Sequence, residues 1–253
     1  MKTKPGAQIN QSILDGISVL QALAGSDMPV GGKDLSEKLN MDSTRVNRLL
    51  KTLASIGMTQ QTKGRKYIPG PGIHVLSAQS LYASGLLRSA MPTLEQLGKF
   101  DLTVAMGVLW FDTVSFIYHA KPGMRATEGI GRIGVRSATT SGIGMVMLAN
   151  SPREAVIDAY QNKVIEGFPD GLESLLSELE EIKQRGYALF QSHELQAEND
   201  KAYYSLAMTI GSPANSAIAL QGKIKPVDVD DLVCVLKDAR TKIESELGKM
   251  PVP

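Results

Sequence analysis

The chain has one cysteine, Cys234, so it can form no disulfide with itself, which suits a reducing compartment. It has no long hydrophobic run. The longest, "GIGMVMLA" at 142–149, falls far short of the ~20 residues a membrane span requires. The opening "MKTKPGAQINQS" lacks the apolar core of a secretory signal and reads as a short basic arm. A cytoplasmic protein with no membrane partner is expected.

Signatures of catalysis and metal binding are missing as well. His74, His119 and His193 show neither H-x-x-x-H nor H-E-x-x-H spacing, which argues against a zinc site. There is no G-x-S-x-G elbow and no Walker loop. "GIGRIG" at 129–134 has the wrong spacing and setting for a dinucleotide fingerprint. Neither an enzyme nor a cofactor is expected. Cys234 falls in the apolar stripe of "LVCVLKDA" and is expected in the core.

What is present suits one or two globular domains. The 253 residues are 43% hydrophobic and 21% charged. The net charge of +1 conceals an asymmetry. Residues 1–72 carry ten Lys and Arg against five Asp and Glu, whereas the remainder carries 17 against 21. A basic head on an acidic body points to a polyanion at the head, with chance clustering as the plain alternative.

Within the head, "SILDGISVLQALAG" has a helical apolar stripe ending at Gly25, and "KDLSEKL" is a short helix burying Leu35 and Leu39. "DSTRVNRLLKTLASIG" is a third helix, capped by Asp42 or Ser43 and stopped at Gly57. "MTQQTKGRKYIPG" reads as two strands about a tight turn at Lys63–Gly64. Three helices and a hairpin make a winged helix-turn-helix over residues 1–71. Residues 72–98 read as a linker helix leading into the second domain, interrupted at Gly85 and at Pro92, where a second helix starts.

The third helix has two faces. Val46, Leu49, Leu50 and Leu53 point inward, and at 100° per residue Thr44, Arg48 and Lys51 point nearly opposite, flanked by Arg45, Asn47 and Thr52, with Ser43 at the helix start counted among the DNA-binding candidates. Guanidinium, amide and hydroxyl groups suit major-groove readout, and Lys63, Arg65 and Lys66 at the hairpin tip suit phosphates. Double-stranded DNA is the expected partner. The alternatives are a solvated face with a basic turn, or a winged helix serving as a protein adaptor.

From about residue 99 to 250 the chain reads as α+β, an antiparallel sheet flanked by helices. "DLTVAMGVLW" and "TVSFIYHA" form a hairpin about Phe111–Asp112, and "RATEGIGRIGV" is loop with short strands. "SATTSGIGMVMLAN" is a capped, buried helix. Ser151 caps the next helix with Pro152 at its first position, and "DGLESLLSELEEIKQRG" is amphipathic. "YALFQSHEL", "YYSLAMTIG" and "NSAIALQG" are strands, and a long helix closes the chain.

The stretch "LSEKLNMDSTRVNRLLKTLASIGMTQQTKGRKYIPG" resembles the DNA-binding head of the IclR family of bacterial transcriptional regulators, down to the wing end at Tyr67-Ile68-Pro69-Gly70. "GRIGVRSATTSGIGMVMLA" and the junction Arg185-Gly186-Tyr187-Ala188 are similar to the body of that family. The resemblance implies a winged-helix head and a GAF-like effector-binding body, assembled as a homodimer or homotetramer and controlling a catabolic operon. It also implies an effector pocket at Thr139, Thr140, Ser141 and Gly142, where a helix N-terminus can cradle an anion. These residues could equally serve only as the helix cap.

The pattern departs after residue 189. Phe190, Gln191 and Ser192 replace the usual acidic residues, Ala202, Tyr203 and Tyr204 stand where a G-x-x-C is common, and the last strand reads Ala219-Leu220-Gln221-Gly222. A pocket with Ser192, Tyr204 and Gln221 is expected to take a larger or more neutral ligand, such as a sugar derivative or an aromatic compound. The alternative is that the body binds nothing tightly.

Overall fold

The computed structural model describes residues 9–131, 134–191 and 203–249. The chain divides into two compact units between Ser84 and Gly85.

In the first unit, α1 (Gln11–Ala24) is capped by the Asn10 side chain, which accepts from the N–H groups of Ser12 and Ile13. Helix α2 (Gly32–Leu39) ends at Asn40 in the left-handed region, and α3 (Ser43–Ser55) starts where the Asp42 carboxylate accepts from the Arg45 N–H at 3.0 Å. Strands β1 (Thr59–Gln61) and β2 (Tyr67–Pro69) pair antiparallel. Val19, Leu23, Leu35, Val46, Leu50 and Tyr67 form the core, with Leu39, Leu49 and Leu53 packed against its rim. Tyr67 also exchanges two backbone hydrogen bonds with Val30, tying the α1–α2 loop to the wing. The following helix, α4 (Pro71–Ser84), buries none of its residues.

Two expectations change. The wing turn spans Thr62 to Lys66, closed by the Thr62 N–H donating to the Lys66 carbonyl at 2.8 Å. Its left-handed residue is Arg65 (φ 59°), not a glycine. In the linker, Gly85 in the left-handed region breaks the helix, and Pro92 lies inside α5 (Leu86–Leu97) rather than at a start. The break is set where glycine removes the Cβ clash; Pro92 forfeits one backbone bond on an exposed face.

The second unit is built on a six-stranded antiparallel sheet. Its strands are β3 (Thr103–Trp110), β4 (Thr113–Ala120), β5 (Val135–Ser137), β6 (Ala188–Gln191), β7 (Tyr204–Ile210) and β8 (Ser216–Gly222), in the order β5-β4-β3-β8-β7-β6. The expected hairpin at Phe111–Asp112 is present, with Phe111 left-handed (φ 54°). One face carries α6 (Gly142–Ala149), α7 (Arg153–Tyr160) and α8 (Leu172–Arg185) over a core that includes Ile143, Met145, Leu175 and Ile182. The other face packs α5 and α9 (Val229–Gly248) through Leu94, Leu206, Met208, Leu236 and Ile243. The strand period of two sorts the side chains. Ala207, Ala217 and Ala219 belong to the α6 face, while Leu206, Met208, Ile218 and Leu220 belong to the other. Small residues under α6 let it lie close to the sheet. At Gly144 a Cβ would collide with the Ala138 carbonyl.

Two further expectations are corrected. Ser151 donates back to the Met147 carbonyl at 2.9 Å, so Pro152 holds the cap position of α7. Cys234 is exposed. The buried stripe of α9 runs through Leu232, Val233, Leu236, Ala239 and Ile243, and residue 234 falls on the opposite side of the helix.

Candidate nucleic-acid interface and effector pocket

Helix α3 presents the expected polar face. Ser43, Thr44, Asn47, Arg48 and Lys51 are exposed, opposite the fully buried Val46 and Leu50. Asn47 leans on the start of α2, where a Cβ on Gly32 would stand 2.7 Å from its Oδ1; the absence of that Cβ lets the two helices approach. Lys63, Arg65 and Lys66 are exposed around the wing turn. Arg45 differs from its neighbours. Its Nε pairs with the Oδ2 of Asp15 on α1, a carboxylate only 7% exposed. That partner lies thirty residues away, beyond the reach of any helical-period argument. A groove of about 820 Å³ runs along α1 and α3, with Ile13, Ile17, Leu20, Leu49 and Leu53 on its apolar wall and Thr44, Arg45 and Arg48 on its polar lip.

The second unit holds a small cavity of about 30 Å³ under the N-terminus of α6. Four of the expected effector residues line it: Thr140, Ser141, Gly142 and Gln221. Ser141 also caps α6 by accepting from the Gly144 N–H at 3.4 Å, so the capping and pocket readings hold together. Two others do not line it among the described residues. Thr139 is fully buried beside Ser137, hydroxyl to hydroxyl at 3.0 Å. Tyr204 packs on the α5 and α9 side of the sheet, because its neighbour Ser205 takes the pocket side of β7. Ser192 lies outside the described residues.

The cavity is completed by residues the sequence reading did not assign to an effector pocket: Arg136 on β5, His119 and Phe116 on β4, Ala105, Ile143, Phe190, Ser205 and Ala219. His119 is 7% exposed and meets the Phe116 ring edge-on, with centroids 5.8 Å apart. The alternation of small and large residues along β7 and β8 was the available signal for Ser205 and Ala219. Arg136 had none, being set beside α6 only by the pairing of β5 to β4. The chemistry on offer is a guanidinium, an imidazole, hydroxyls, an amide and the free N–H groups of a helix start, walled by two phenylalanines. Among the described residues no cluster of His, Cys, Asp and Glu could hold a metal ion, and no helix is long and apolar enough to cross a membrane.

A winged helix-turn-helix with an exposed basic recognition helix, followed by a sheet domain with a polar pocket, defines the class of ligand-responsive DNA-binding regulators. The family comparisons agree. Residues 12–63 match the IclR helix-turn-helix domain, and residues 78–221 match the bacterial transcriptional regulator IclR C-terminal domain. The chain belongs to the IclR family of bacterial transcriptional regulators, whose members are DNA-binding proteins rather than enzymes, with operator binding modulated by a small molecule. It is 26% identical over 255 residues to the HTH-type transcriptional regulator KdgR of Escherichia coli K12, covering 96% of this chain and 94% of that one. Its fold matches an IclR regulator from Silicibacter sp. TM1040 with a TM-score of 0.76 at 20% identity, over 96% of this chain and 98% of that chain. It also matches an IclR homologue from Microbacterium hydrocarbonoxydans complexed with 4-hydroxybenzoate, with a TM-score of 0.66 at 18% identity, over 94% and 100% of the two chains.

Proposed function

We propose that α3 enters the major groove of an operator with Thr44, Asn47, Arg48 and Lys51 toward the base edges, while Lys63, Arg65 and Lys66 of the wing hold phosphates. The observation that carries this reading is the exposure of all seven side chains in one unit whose apolar residues are packed behind them. The protein would act in the cytoplasm as a homodimer or homotetramer on a catabolic operon. The exposed apolar residues of α1 and α4, including Ile13, Val75 and Leu76, support self-association. A dimer would read half-sites about 34–36 Å apart, one helical turn, or a multiple of that.

We further propose that the effector is a small acid. Arg136 and the start of α6 favour a carboxylate, and Thr140, Ser141, Ser205 and Gln221 can bond hydroxyl groups. Phe116 and Phe190 give the site an apolar wall suited to an apolar or ring-shaped body, and an IclR homologue is complexed with the aromatic acid 4-hydroxybenzoate. This moves the expectation from a neutral ligand to an acidic one. A cavity of about 30 Å³ has space for one or two waters, so a metabolite must open it, and that opening is the change available to couple ligand to DNA. Titration calorimetry against a sugar acid, a hydroxybenzoate and a neutral sugar tests this. Binding of an acid that Arg136→Gln weakens at least tenfold is expected; binding of the neutral sugar alone would overturn it.

A further inference from the structure

Among the described residues of the head, the deepest-set charge is Asp15. It lies in the middle of α1 at 5% exposure, where a solitary carboxylate would be costly. Its two oxygens are both engaged: Oδ1 accepts from Gln11 Nε2 at 2.8 Å, and Oδ2 meets Arg45 Nε. Beside it, Gly16 faces α3, with Leu49 Cδ2 3.9 Å from where a Cβ would stand, an ordinary contact distance. Arg45 belongs to the first turn of α3, its N–H taken by the capping Asp42, and its side chain remains 44% exposed. The contact with Asp15 uses the side edge of the guanidinium. The end edge, with its two terminal nitrogens, also carries two parallel N–H donors and can bond in bidentate fashion.

We propose that Asp15 is a positioning residue for sequence readout: its buried carboxylate aims the Arg45 guanidinium from the start of the recognition helix at a base edge of the operator. The proposal rests on the reading of α3 as the groove-entering helix. Residues at the start of such a helix are the ones that reach base edges. A free arginine there would be a mobile cation, attracted to any phosphate and costly to immobilise. Clamped by Asp15, it loses rotamer freedom before DNA arrives. The pair also sums to zero charge, so Arg45 adds directed donors with little of the sequence-independent attraction that net positive charge supplies. Arg48 and Lys51, about one and two turns further along the exposed face, form no ion pair among the described residues and keep their full charge for the backbone or bases.

The test uses the full-length protein and two duplexes: one selected by the wild-type protein from a random pool, and a scrambled duplex of the same composition. Binding of Asp15→Asn to both is measured across a salt series, with the melting temperature of each protein recorded. The expected result is a loss of discrimination of about tenfold or more, the scale of one bidentate base contact. It should come with scrambled-duplex binding unchanged or tighter and a salt slope equal or steeper. A purely structural role would weaken both duplexes together and leave their ratio intact, which would overturn the proposal. Arg45→Lys keeps the charge and loses the fork, and it provides the same readout if Asp15→Asn does not fold. The double variant Asp15→Asn with Arg45→Lys should discriminate no worse than Arg45→Lys alone; additive losses would overturn the coupling. If the wild type selects no duplex, the DNA-reading face itself is wrong. If the wild type discriminates and both single variants do so equally well, only the role of Asp15 is wrong.

Discussion

Gly142, the first residue of α6, lies directly against Ser205 on β7: a Cβ on Gly142 would stand 2.5 Å from the Ser205 hydroxyl oxygen and 3.2 Å from its carbonyl oxygen. Both residues line the cavity under the helix start. Gly142→Ala must therefore lift α6 off the sheet or force Ser205 aside. We expect a loss of about 1–3 kcal/mol, the usual scale for overpacking a dense site. Chemical denaturation of the full chain, with calorimetric titration of the effector, should show both a lower midpoint and weakened binding.

Arg48 and Arg65 should separate by kind of contact. Arg48→Ala should weaken binding to the selected duplex by about 1–3 kcal/mol and relax preference at one position of the site. Arg65→Ala, at the wing tip, should weaken selected and scrambled duplexes alike and reduce the salt slope by about one. Mobility shifts at several salt concentrations distinguish the two. Identical behaviour of both variants and wild type would place the groove face elsewhere.

Leu50 is fully buried on α3 and packs in the small core shared with Val19, Leu35 and Tyr67. Leu50→Ala should cost the head about 2–5 kcal/mol. Because the head is a separate compact unit, DNA binding should fall while ligand binding by the body persists. Parallel titrations with duplex and effector check this.

Tyr160 carries a buried hydroxyl with no hydrogen-bond partner among the described residues. Tyr160→Phe removes that unsatisfied group, and stability should stay level or rise by up to about 1 kcal/mol near neutral pH. Burial, and secondarily the charge of Asp112, push the Tyr160 phenol above its ordinary value of 10.0. A raised pKa in the folded state means the unfolded chain ionises first, so this contribution is intact below about pH 10 and declines above it. Thermal melts across that range should show the wild type losing more stability than the phenylalanine variant.

Much of the head was legible because a helix repeats every 3.6 residues. Val46 and Leu50 had to share a side, and Thr44, Arg48 and Lys51 had to share the other, whatever the rest of the chain did. The strands of the body were legible for a similar reason, from runs of β-branched and apolar residues bounded by turn signals. The pocket was half legible. The helix start at Thr140 to Gly142 announces itself, whereas the choice between Tyr204 and Ser205 is a one-residue question of which face a strand turns to the helix, which the sequence leaves open and the structure answers with Ser205.

The sequence by itself determined the two faces of α3 and the basic wing, because these depend on local period and on charge near in the chain, and its resemblance to a known family pointed to the class of the protein. The tertiary structure alone decided which side chains meet across long separations: Arg136 and His119 beside the start of α6, Tyr204 turned away from it, Cys234 turned to solvent, and Asp15 buried against Arg45. These meetings follow from strand pairing and helix crossing. Packing sets both over distances that no repeat in the sequence records.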